Sequence, residues 1–384
     1  MAVSHVADRY WLHALLFVAT LGSTIYAGVD LSGRWIYYSR PDGWIAAVGD
    51  GLRYSLSLLF FLTVHEFGHY FAARFHSVRV TLPFYIPSPF FFVPFNIGTF
   101  GAVIRIRDQV PNSRKLFDIG IAGPIAGFVA AVVVLLVGIA TLPDASYYLD
   151  MPGHNEIKDL IFRGEQLPAR SPTDYPVVYI GMTPLFWLLT AAVPDMPPLY
   201  ELYHFPILFA GWLGLFFTAL NLLPVGQLDG GHILFSLVGR VWHGRLARAF
   251  VLMLLASASI GFAIEMGPTM ESYMVYGGLV NWIILSGLLF FFLNRIFDRD
   301  LKLTALALAA LMLLTVLAVR LGAPVTDVGY SGWFFWCALI VLFIKVDHPP
   351  VLYHEPLTRG RRWLGILSFV IFALCFSVRP IYVG

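Results

Sequence analysis

The stretch TVHEFGHYFAARF, Thr63–Phe75, sets His65, Glu66 and His69 inside an otherwise apolar run that begins with LRYSLSLLFFL at Leu52. Desolvating ionisable side chains at membrane depth costs several kcal/mol, so they are expected to share a partner. In a helix His65 and His69 lie one turn apart on one face, and their imidazoles can converge on a single ion. Zn²⁺ takes nitrogen and oxygen ligands in a tetrahedral shell, and a catalytic site keeps one position for water. Glu66 projects from an adjoining face, from which it can reach such a water without ligating the metal. HExxH on a helix therefore encodes two zinc ligands and a general base, and the metal brings the pKa of its water from about 15.7 to about 7.

A third ligand is expected from TALNLLPVGQLDGGHI, Thr218–Ile233, the other polar interruption of an apolar segment. Pro224 has no N–H to donate, so the helix should break there. Irregular backbone at membrane depth is tolerated where it is buried in protein or lines a water-filled cavity. Asp229 follows the break and can complete a His₂Asp shell. Asn221, on the last turn before it, can cap the helix or hydrogen-bond freed backbone or a substrate carbonyl. From Leu52 to His65 is 13 residues, roughly 20 Å of helix. That places the site about two-thirds of the way through a hydrocarbon core of about 30 Å.

These elements sit in a chain of 384 residues, 58% hydrophobic and 12% charged. A soluble domain carries about 25% charged residues, so an integral membrane protein is expected. The net charge of +2 gives no reason to expect a nucleic-acid partner. Apolar runs at 10–29, 52–75, 117–142, 205–224, 246–264, 276–294, 302–320, 331–345 and 363–379 are long enough to predict about nine transmembrane helices. With the N-terminus cytoplasmic, 17 of the 25 Lys and Arg fall on inner segments, as the positive-inside rule requires. Alternation at Val78–Leu82 and Gly101–Ile106, with prolines between Pro83 and Pro94, predicts a β-hairpin or small sheet at the cytoplasmic membrane face. The fold class is thus an all-α polytopic membrane protein with a small membrane-associated β-hairpin. An apolar piece at Val177–Val193 is expected to lie in the interface as a helix. Gly120, Gly123 and Gly127 would let one span approach the histidine span closely. Cys337 and Cys375 are expected to be buried free thiols. His154, His204, His348 and His354 are read as solvated, with a second metal site as the other reading for His348 and His354; His232 is read as lying on a helix surface, with a supporting partner of the metal shell near Asp229 as the other reading.

HEFGH at 65–69, GxxGP at Gly120–Pro124 and NLLPVGQLDGG at 221–231 together resemble the site-2 protease family of intramembrane zinc metalloproteases. The resemblance covers about residues 52–235, between an N-terminal helix and outer loop (1–51) and C-terminal transmembrane helices (236–384). It implies one Zn²⁺ held by His65, His69 and Asp229, with Glu66 as general base. It also implies cleavage of membrane-anchored protein substrates within or near the bilayer, often in regulated intramembrane proteolysis, with the active site facing the cytoplasm. A multi-pass protein of a bacterial cytoplasmic membrane is the expected setting. The outer loop 143–204 is too short and apolar for the PDZ domain many relatives carry, which points to the PDZ-free branch. GTFGA, Gly98–Ala102, resembles the membrane-associated strands of that branch. An edge formed by Gly98, Thr99, Phe100, Gly101 and Ala102 could take an unwound substrate segment as an added strand; a purely structural hairpin is the other reading. Two rival functions share the metal set: a metal-ion transporter or sensor, and a non-catalytic relative that binds membrane helices.

Overall fold

The computed structural model describes residues 9–34, 41–88, 96–173 and 175–384; Pro89 and Pro94 of the expected hairpin loop lie outside them. The chain runs α1 (Tyr10–Leu31), α2 (Gly43–Phe75), β1 (Phe84–Pro87), β2 (Thr99–Val103) and α3 (Ser113–Ala140). The connection after α3 holds α4 (Asn155–Phe162), β3 (Val178–Ile180) and α5 (Pro184–Thr190). Then come α6 (Pro206–Asn221), α7 (Asp229–Tyr273), α8 (Gly277–Ile296), α9 (Leu301–Leu321), α10 (Trp333–Leu339), α11 (Arg359–Cys375) and β4 (Ile381–Val383). Six of these helices, α1, α2, α3, α7, α8 and α9, are long and apolar enough to cross a membrane. The other three expected spans fall on the shorter helices α6, α10 with its π-helical continuation, and α11. α7 is broken at Gly239, whose φ of 77° is non-helical.

α2, α3 and α6 form the centre of the molecule, with Tyr54, Phe61, Phe117, Phe209 and Trp212 fully buried among them. Small residues set their spacing. A Cβ at Gly138 of α3 would come 2.7 Å from Leu208 Cα, and one at Gly211 of α6 would come 2.7 Å from Leu135 Cα. Such pairs let backbones touch where lipid supplies no hydrophobic drive between helices. Outward faces stay apolar, as at Leu15, Phe60, Val129 and Leu313, which suits a hydrocarbon surround. Cys337 and Cys375 are buried and unpaired.

α2 starts nine residues before the expected span. Asp50, in the added segment, is 2% exposed but meets Arg34 at 3.3 Å and Arg53 at 3.0 Å, so its charge is paired. β1 and β2 form an antiparallel two-stranded sheet with Phe84 opposite Val103 and Tyr85 opposite Ala102. The apolar piece expected as one interfacial helix divides. Its start is strand β3, which pairs with β4 at the chain's other end, and the helix is only Pro184–Thr190.

Candidate metal centre

α2 carries His65, Glu66 and His69 to a point where α3 and the start of α7 meet it. Nε2 of His65 and Nε2 of His69 lie 3.2 Å apart. Asp229 Oδ2 stands 3.1 Å from the second and 3.5 Å from the first. A tetrahedral zinc with bonds of 2.0–2.1 Å holds its ligand atoms about 3.4 Å from one another, so this donor set has the size and chemistry for that ion. His69 Nδ1 is 2.7 Å from the Ile119 carbonyl oxygen. A carbonyl only accepts, so Nδ1 carries the proton and Nε2 presents its lone pair to the centre. His65 Nδ1 is buried without a hydrogen-bond partner. The histidines and Glu66 are buried as well.

The glycines of α3 make this approach possible. A Cβ at Gly123 would overlap the His69 imidazole, and one at Gly127 would come 2.8 Å from His65 Nδ1. Gly68 of α2 reciprocates, since a Cβ there would sit 2.6 Å from the Ala122 carbonyl oxygen. Asp229 is delivered by the break after α6. Leu223 and Pro224 leave the helix, Gly226 adopts φ +55°, and α7 begins at Asp229 itself. Side chains at Gly230 and Gly231 would strike the carbonyls of Leu222, Leu223, Val225 and Gly226; the first turn of α7 therefore lies directly on the break.

Glu66 Oε1 is 4.0 Å from His65 Nε2. Its Oε2 accepts the backbone N–H of Ile104, 3.0 Å away and one residue past β2. The Tyr85 hydroxyl, on β1, lies 2.7 Å from Thr63 Oγ1. The hairpin is thus tied to the motif helix at two points, one of them the Glu66 carboxylate. Asn221 Nδ2 stands 3.3 Å from His65 Nε2, so its side chain faces the cluster rather than capping α6. Gly98–Ala102 are not in the cluster. Gly98 precedes β2 and Thr99–Ala102 open it; the Gly98 carbonyl accepts from Ser23 Oγ at 2.7 Å, and β1 is the one strand paired with β2 among the described residues.

The family model of peptidase family M50 matches residues 53–266, more than half of the chain and every residue of this cluster. The chain belongs to peptidase family M50. It is 28% identical over 250 residues to the probable zinc metalloprotease EGY1, chloroplastic, of Oryza sativa subsp. japonica; the match covers 60% of this chain and 38% of that protein. It is 31% identical over 209 residues to the probable zinc metalloprotease EGY2, chloroplastic, of Arabidopsis thaliana, covering 54% and 33%. The M50 chain thus spans less than half the length of these relatives. No solved structure matches it.

Around the M50 cluster the structure draws in residues that the sequence left outside. His232, expected on a helix surface, points inward, with Nδ1 2.7 Å from His348 Nε2. A Cβ at Gly120 would come 3.0 Å from the His232 Cβ. His348 is buried and stacks on Phe235, not solvated as expected; burial holds its pKa below the usual histidine value. His354 is exposed. Arg361 on α11 grips Asp118 at 2.8 and 2.7 Å, one residue before the carbonyl that holds His69. His154 and His204, expected to be solvated, instead meet Glu201, with His204 buried and His154 half-buried.

Proposed function

We propose that this chain is a membrane-embedded zinc endopeptidase that hydrolyses a peptide bond of a membrane-anchored protein within or near the bilayer, in regulated intramembrane proteolysis. The reading rests on one observation: His65, His69 and Asp229 converge at the spacing of a tetrahedral shell beside a buried Glu66. The zinc metalloprotease names of the relatives support the same ion. When bound, zinc supplies Lewis acidity toward a carbonyl oxygen and a water of lowered pKa. Glu66 is the general base, taking a proton at its carboxylate and passing it to the leaving amine. Asn221 Nδ2 donates to the substrate carbonyl oxygen. A helical substrate hides each carbonyl in an intrahelical bond, so a segment must unwind. We assign its berth to the second edge of β2, along Gly98–Ala102, where added-strand hydrogen bonds replace those lost. The Ile104–Glu66 bond, one residue past β2, supports this berth beside the base. The charge bias of the connecting segments supports an N-terminus and active site toward the cytoplasm, with the catalytic core at 52–235. The expected bacterial setting has no counterpart in the chloroplastic names of the relatives.

The test is co-expression with candidate single-span proteins, comparing wild type with Glu66→Gln. Cleavage should fall by about 10²–10⁴-fold while zinc content stays unchanged, and a chelator should abolish the product. A Glu66→Gln protein that still cleaves would overturn the assignment. A wild-type protein that moves zinc across vesicles, with flux kept in Glu66→Gln, would favour transport.

A further inference from the structure

The connection between α3 and α6 gathers a second trio of donor atoms, beyond the end of α6 that is remote from Asn221. His154 precedes α4, while Glu201 and His204 bracket a 3₁₀ turn, Leu202–His204. A 3₁₀ turn repeats every three residues, so the Glu201 and His204 side chains stack on one side. His154 Nε2 is 3.3 Å and His204 Nε2 is 3.8 Å from Glu201 Oε2. All three donor atoms lie within 4.8 Å of one another. Glu201 is 4% exposed and His204 is 6%.

The hydrogen bonds around the trio fix what each atom offers. His204 Nδ1 is 2.7 Å from the Leu31 carbonyl oxygen, and His154 Nδ1 is 3.1 Å from that of Pro152. Carbonyls accept only, so each Nδ1 holds a proton and each ring, when neutral, turns an Nε2 lone pair toward Glu201. Glu201 Oε2 is itself buried with no hydrogen-bond partner. Three acceptors then face one another in a largely buried pocket, an arrangement that is costly unless something positive sits among them. A single added proton satisfies one pair and leaves the other imidazole confronting the carboxylate. A divalent cation satisfies all three. Two nitrogens and one carboxylate oxygen are a zinc-type donor set, and the separations of 3.3 and 3.8 Å lie on either side of the roughly 3.4 Å of a tetrahedral shell.

The neighbouring chain is built to hold these rings. Gly33, at φ +67°, closes the turn after α1 over His204; a Cβ there would come 2.7 Å from the ring. The Tyr147 hydroxyl donates to the His204 carbonyl at 2.9 Å. His204 lies two residues before α6, the helix that ends in Asn221 and leads to Asp229. We propose that His154, Glu201 and His204 form a second divalent transition-metal site of the zinc class, distinct from the first, which staples the connection and the end of α1 to the start of α6.

Elemental analysis of tag-free, full-length protein in detergent, stripped and reloaded with Zn²⁺, tests this. Two equivalents are expected for the wild type and one for His154→Ala, for Glu201→Gln and for the His65→Ala/His69→Ala pair. In that last background Zn²⁺ should still raise the thermal midpoint, and adding His154→Ala should remove the rise. His154 has the most accessible side chain of the three, 19% exposed, so its variant carries the test if Glu201→Gln does not fold. A wild type holding one equivalent, lost in the His65→Ala/His69→Ala pair, would mean an ion pair only and overturn the proposal while leaving the first site intact. Two equivalents retained in His154→Ala would overturn it as well.

Discussion

Replacing Gly123 with alanine asks whether the close approach of α3 is what fixes the ligand geometry. The added methyl would overlap three atoms of the His69 ring, including the donor Nε2. Ordinary carbon contacts begin at about 3.5 Å, so ring or helix must retreat by about 1.4 Å. The helix cannot do so freely, because Ile119 on α3 holds the same ring at 2.7 Å through Nδ1. Metal–ligand distances tolerate about 0.2 Å, and errors at supporting groups alone cost 10–100-fold in metal affinity. We therefore expect zinc affinity to fall by at least about 100-fold, and cleavage by a similar factor. Overpacking should cost about 1–3 kcal/mol of stability, partly offset by about 0.5–1 kcal/mol because alanine favours the helix over glycine.

Two variants of the same helix separate these effects. Gly138→Ala places a Cβ 2.7 Å from Leu208 Cα, a similar overpacking with no ligand in reach. Gly127→Ala brings a Cβ 2.8 Å from His65 Nδ1, about 0.7 Å inside ordinary contact, and should be intermediate. Zinc affinity is read by competition with a chromophoric chelator, and stability by the thermal midpoint of the same samples. All three variants should lose stability, and zinc should weaken in the order Gly123, Gly127, Gly138. Wild-type zinc affinity in Gly123→Ala, or equal zinc loss in Gly138→Ala, would refute the idea that α3 sets the ligands.

Two further outcomes follow from the surroundings of the site. Arg361→Ala removes a two-point grip on Asp118 in which the partners are 32% and 21% exposed. Thermal unfolding should show a loss of about 1–2 kcal/mol, and Arg361→Lys should recover only part of it, because an ammonium cannot make the paired contact. Phe100→Asp alters a residue that is 59% exposed, so folding and zinc content should hold. Cleavage should drop by at least about tenfold, or about 1.4 kcal/mol of substrate binding, and unchanged cleavage would count against the β2 edge.

The donor atoms were legible because their spacing is local. His65 and His69 need only one helical turn, and Asp229 is the carboxylate beside a proline break in an otherwise apolar run. The helices were legible for a related reason: hydrocarbon forces long apolar runs. What stayed hidden depends on pairings distant in sequence. β3 meets β4 some 200 residues away, and a three-residue strand carries too little pattern to announce itself. The trio of His154, Glu201 and His204 needs the connection to fold back on itself and on the Leu31 carbonyl. In sequence each is one polar residue among turns, which is how solvated histidines also look. The early start of α2 takes in Asp50, a charge made compatible with a buried helix only by distant Arg34 and by Arg53.

The placement of Asp229 shows why helices beyond the proposed catalytic core, 52–235, matter to it. A proline break rich in glycine would be a loose hinge if left alone, since glycine gains most from disorder. Here it is clamped from both sides. The first turn of α7 presses on the carbonyls of Leu222–Gly226, and Gly226 N–H donates to the Val346 carbonyl at 3.0 Å. Val346 belongs to the segment joining α10 to α11, and His348 in the same segment holds His232, three residues past Asp229. The carboxylate proposed as third ligand is therefore positioned by chain more than 100 residues downstream. A two-helix motif could supply the chemistry, but without that strap the carboxylate would have to be ordered each time the ion bound, and affinity would fall by the ordering entropy.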